Sequence, residues 1–67
     1  MQEFQQRVID EKNELSERTD RLDAFISSKT FDTLPPDEQL RLRRQLSVMC
    51  AYREILRQRI EAFTINA

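Results

Sequence analysis

The chain is 67 residues long, with 11 basic and 12 acidic side chains, one cysteine, no histidine and no glycine. A single small domain is all that length permits, and a core of that size supplies only about 3–5 kcal/mol unless disulfides, a metal or oligomerisation add to it. One cysteine excludes an internal disulfide framework and the lack of histidine excludes a Cys/His zinc site, so oligomerisation is the staple that remains. Cys50 reads as a small core filler kept reduced in a cytosolic setting. The longest apolar run, VMCAY at residues 48–52, is too short to span a bilayer, and no signal-peptide core follows the first methionine. The expected location is the cytoplasm.

The first predicted element is a helix over about residues 2–28. Phe4, Val8, Leu15, Leu22 and Phe25/Ile26 recur at three- and four-residue steps, the spacing of one helical face. Its middle, DEKNELSERTDR at 10–21, holds Leu15 as its single apolar residue. Glu3–Arg7, Arg7–Glu11, Glu14–Arg18 and Glu17–Arg21 are spaced i,i+4, each pair contributing roughly 0.2–0.5 kcal/mol to an exposed helix. That polarity reads mainly as solvated surface.

A connection over about 29–35 follows, with Phe31 and Leu34 as candidate anchors at the hairpin end. The second helix is expected over about 36–63, since proline suits a first helical turn and Asp37 and Glu38 suit the positive end of the helix dipole. Its seam is Leu42, Leu46, Met49, position 53, Leu56, Ile60 and Phe63, broken only by Arg53. Residues 1–38 carry five basic and ten acidic groups, residues 39–67 six and two, so the two halves attract each other when folded back.

Antiparallel pairing in which facing positions sum to 64 sets Leu22 on Leu42, Leu15 on Met49, Val8 on Leu56 and Phe4 on Ile60. The same register puts Glu11 opposite Arg53 as an ion pair and Lys12 level with Tyr52. Val48, Tyr52 and Ile55 read as broadening the second helix's apolar face beyond what one partner helix covers, and so as oligomer-interface residues. The predicted architecture is all-α: one domain, an antiparallel two-helix hairpin assembling into a homo-oligomeric helical bundle, with a dimer as the simplest unit.

No catalytic constellation is present. Without histidine there is no Ser–His or Cys–His pair, and without glycine no phosphate-cradling loop, so the chain is expected not to be an enzyme and to need no metal or cofactor. The cluster RLRR at 41–44 splits between helix faces and makes a poor nucleic-acid track. Lys12, Tyr52, Arg53 and Arg57 are the candidate ligand-binding residues: arginine makes bidentate phosphate contacts and a tyrosine ring stacks on a base.

The segments FQQRVIDEKNEL at 4–15, F-x-x-L-P at 31–35 and EQLRLRRQLSVMCAYREILRQRI at 38–60 resemble a group of short phage proteins related to a gene of a crAss-like phage. The resemblance covers roughly residues 4–63 and brings no active residues with it. The architecture is also similar to phage helical-hairpin sponges that counter CBASS and Thoeris immunity, which oligomerise and sequester cyclic nucleotide signals at subunit junctions. Their aromatic and arginine pattern is not repeated here. These likenesses imply a phage counter-defence protein, acting in an infected bacterial host, that sequesters a small anionic signalling nucleotide as a homo-oligomer. The alternatives are an inhibitor that binds a host defence protein, and a structural or assembly subunit.

Overall fold

The computed structural model describes residues 2–65, with side chains to residue 63. Three helices follow one another: α1 (Glu3–Ile26), a single turn α2 (Lys29–Asp32) and α3 (Pro36–Ile65). α1 and α3 fold back on each other as an antiparallel hairpin measuring 49 × 14 × 14 Å, with α2 at the bend.

Local chemistry sets each boundary. The Gln2 N–H donates to Gln5 Oε1 at 2.9 Å, satisfying one backbone donor where α1 begins. α1 stops at Ile26, two residues earlier than the spacing predicts, because Ser27 and Ser28 turn the chain. The Ser28 hydroxyl donates to the Phe25 carbonyl at 2.6 Å and accepts from the Phe31 N–H at 3.3 Å. Serine competes with the helical ladder in this way, closing one helix and capping the next. The connection predicted as loop thus contains a helical turn.

The bend is held by side chains from three elements. Phe31 is 1% exposed and sits edge-to-face on Phe25, with 6.3 Å between ring centroids. The Arg43 guanidinium lies 5.0 Å from the Phe31 ring centroid, close enough for a cation–π contact. The Gln39 side-chain amide donates to the carbonyls of Phe31 at 3.2 Å and Leu34 at 2.9 Å, tying the start of α3 to backbone oxygens that the turn leaves over.

Val8, Leu15 and Leu56 form the buried core between the long helices, flanked by half-buried Met49, Ile60 and Phe63. Every predicted seam position of α3, from Leu42 to Phe63 and including Arg53, is at least half-buried. α1 differs from expectation. Positions 11 and 18 are exposed, and the seam runs through half-buried Lys12 and buried Thr19 instead. Thr19 brings its own satisfaction, its hydroxyl donating to the Leu15 carbonyl at 2.7 Å, whereas a buried Arg18 would need a partner.

Three further expectations change. Phe4 packs edge-to-face on Phe63 at 5.8 Å, one step beyond the predicted Ile60. Cys50 is exposed rather than a core filler, since it follows Met49 and points off the seam. Of the four i,i+4 pairs named on α1, Glu3–Arg7 closes, at 2.7 Å.

Candidate functional site

At about 100° per residue, Arg53 and Arg57 lie about 60° and 100° to one side of Leu56, and Tyr52, Val48 and Ile55 about 40°, 80° and 100° to the other. On α1, Lys12, Ser16 and Asp20 lie to one side of Leu15 and Glu11 to the other. Antiparallel packing brings like sides together, so the hairpin has two chemically distinct flanks.

The first flank holds an open cleft of about 310 Å³ lined by Lys12, Ser16 and Asp20 of α1 and by Arg53, Glu54 and Arg57 of α3. Three cations and two carboxylates leave it cationic by one charge. Arg53 reaches Asp20 at 3.4 Å. Arg57 is held from both directions along its own helix, with Glu54 at 2.7 Å and Glu61 at 2.7 Å. Its Nε also donates to Glu54 at 2.9 Å, so the guanidinium is locked in one orientation with two N–H groups to spare.

These bonds show in proton affinities. Hydrogen bonds from Arg57, then Gln58, hold the Glu54 carboxyl down at about 2, and the Glu54 and Glu61 carboxylates push Arg57 up. Because the folded value of Glu54 is depressed, its contribution to stability is present above the ordinary value of 4.5 and is lost as pH falls toward about 2. Solvent keeps that contribution small. A carbon-detected NMR titration should place the Glu54 midpoint at about 2, and Arg57→Met should raise it toward the ordinary carboxylate range, with the Gln58 hydrogen bond left in place. A Glu54 that titrates normally in the wild type refutes the clamp.

The second flank overturns two sequence readings. Glu11 does not pair with Arg53: its carboxylate accepts a hydrogen bond from the Tyr52 hydroxyl, and Arg53 turns the other way, to Asp20. The seam shift on α1 is the cause, because it carries Glu11 out to the Tyr52 side. Within one hairpin, Tyr52 therefore lies on the opposite flank from Lys12, Arg53 and Arg57. Val48 and Ile55 are 68% and 54% exposed and also lie on the Tyr52 side, where α1 leaves them uncovered.

Ser16, Asp20 and Glu54 also line the cleft and are not among the candidates that residue type suggests. The signal was present: Lys12, Ser16 and Asp20 recur at four-residue steps, one row along α1. Among the described residues no group of three or more His, Cys, Asp or Glu side chains is placed to hold a metal ion. No helix among them is long and apolar enough to cross a membrane.

The geometry defines a small helical-hairpin protein with a cationic, arginine-lined surface cleft. More particularly, the chain belongs to the Sequestin family, whose model matches residues 2–62. The family name denotes sequestration, in keeping with a protein that binds and holds a small molecule. No curated protein and no solved structure matches the chain.

Proposed function

We propose that this protein is a non-enzymatic, phage-encoded counter-defence factor that works as a homo-oligomer and sequesters a small anionic nucleotide of the cyclic type. The observation that carries the reading is the convergence of Lys12, Arg53 and Arg57 from two helices on one cleft. Arg57 is pre-oriented by its carboxylates, so little side-chain freedom is lost when it meets a phosphate. Lys12 supplies a compact positive charge beside it. With Tyr52 on the other flank, a base would find its stacking surface on the plane of the Arg53 guanidinium. A volume of about 310 Å³ lies at the small end of ligand sites, the size for one nucleotide unit.

Calorimetric titration with cyclic di- and trinucleotides, cyclic ADP-ribose isomers and inorganic phosphate tests this. The expected result is saturable binding to at least one cyclic species, weakening as salt rises because the contacts are charge-borne. A flat response across the panel from folded, assembled protein overturns it.

A further inference from the structure

Two carboxylates line a cleft whose cations would suit an anion, and one of the two is fixed in place. Glu54 stands beside Arg57 in the lining. Its Oε1 accepts from Arg57 Nη2 at 2.7 Å and from Gln58 Nε2 at 3.3 Å, and its Oε2 accepts from Arg57 Nε at 2.9 Å. We propose that Glu54 determines specificity in the cleft, its carboxylate accepting a hydrogen bond from a ribose hydroxyl while Arg57 takes the adjoining phosphate. This role rests on the nucleotide reading above and adds which part of the nucleotide is recognised, and by which residue.

Three observations support it. The first is that Glu54 works against phosphate binding. A carboxylate next to a bound phosphate sets like charges together, which costs affinity. Orienting Arg57 does not require that cost. Glu61 holds the same guanidinium at 2.7 Å and does not line the cleft.

The second is spare acceptor capacity. An ionised carboxylate has about four lone-pair sites. The bonds from Arg57 and Gln58 use both sites on Oε1 and one on Oε2, leaving one on Oε2. The side chain is half-exposed, so a ligand can reach that site. Arg57, then Gln58, holds the carboxyl down at about 2, so at neutral pH the group only accepts. Phosphate oxygens also only accept, and a hydroxyl supplies the missing donor. Asp20 lacks this fixed geometry, being 77% exposed and held by one contact of 3.4 Å.

The third is adjacency. The paired bonds between Arg57 and Glu54 join two spare N–H groups and one spare lone pair into a single rigid unit. In a nucleotide the group next to the phosphate is the sugar, and the base lies beyond it. A carboxylate that accepts from a ribose hydroxyl beside a phosphate site is a recurring solution in dinucleotide recognition.

Calorimetric titration of the wild type, Glu54→Ala and Glu61→Ala with matched ligands is the test. The ligands are cyclic dinucleotides built on ribose and on 2′-deoxyribose, and cyclic ADP-ribose with its 2′- and 3′-deoxy counterparts. The wild type should bind a ribose form about tenfold or more tightly than its deoxy counterpart, as expected for a hydrogen bond to a charged group. Glu54→Ala should bring the two forms toward equal affinity with the helix kept, since alanine is the strongest helix former. Glu61→Ala loosens Arg57 but leaves the acceptor in place, so it should weaken both forms alike and preserve their ratio.

Equal wild-type affinity for the two forms overturns the role of Glu54 and leaves the nucleotide reading standing. A ribose preference that survives Glu54→Ala does the same. So does a preference that Glu61→Ala abolishes equally, which makes the orientation of Arg57 its source. A wild type that binds no ligand of the set removes the nucleotide reading itself, and the role of Glu54 with it.

Discussion

Leu56→Ala should abolish the cooperative thermal transition of this protein at low concentration. Leu56 is 0% exposed and touches the core from which Val8 and Leu15 also exclude water. Truncating a buried leucine removes its transfer free energy and leaves a cavity, together costing about 2–5 kcal/mol. A single core in a chain this short supplies only about 3–5 kcal/mol in total, so the loss is comparable with the whole. Gln58→Ala, two residues on and exposed, loses one surface hydrogen bond to Glu54 and should change stability by less than about 0.5 kcal/mol. Circular dichroism melts at several protein concentrations check this. Association restores stability by mass action, so a partial recovery on concentrating the Leu56 variant points to assembly. A Leu56→Ala protein that melts like the wild type when dilute would show that the hairpin core is not what holds the chain together.

The sequence makes α3 legible and α1 only partly so, for a physical reason. α3 has an apolar residue at nearly every seam step, so one face satisfies the spacing and the structure buries that face. Between Val8 and Leu22, α1 has Leu15 as the only large apolar residue on its inner face, and positions 11 and 18 fit a three-to-four spacing as well as 12 and 19 do. What decides between them is side-chain chemistry rather than period. Thr19 can bond back to the Leu15 carbonyl, and the Lys12 stem can lie along apolar surface while its ammonium reaches water. That one-residue turn of α1 moves Glu11 from Arg53 to Tyr52 and divides the candidate site between two flanks. The turn α2 was hidden for a related reason: Ser28 both ends α1 and caps α2, so one serine cluster reads as a plain break. Lys12, Arg53 and Arg57 could be found from residue type, but their acidic companions Asp20 and Glu54 looked like ordinary helix surface.

Those companions make the sharpest test of the cleft, because substitutions on its two sides should move affinity in opposite directions. Arg53→Met removes a charged hydrogen-bond donor, a contribution of about 1.5–3 kcal/mol to an ionic ligand, and should weaken cyclic-nucleotide binding about ten- to a hundredfold. Its cost to stability should be small. The bond to Asp20 is long at 3.4 Å, and the Asp20 side chain is 77% exposed, so the pair contributes about 0–1 kcal/mol. Methionine also replaces much of the packing of the arginine stem. Asp20→Asn should tighten binding several-fold, since it frees Arg53 and raises the net charge of the cleft from +1 to +2. Calorimetry reads both affinities and thermal melts read both stabilities. If neither substitution moves affinity, the nucleotide does not bind in this cleft. If Arg53→Met instead collapses the fold, Arg53 serves the hairpin seam, and Asp20→Asn alone then decides whether the cleft meets an anion.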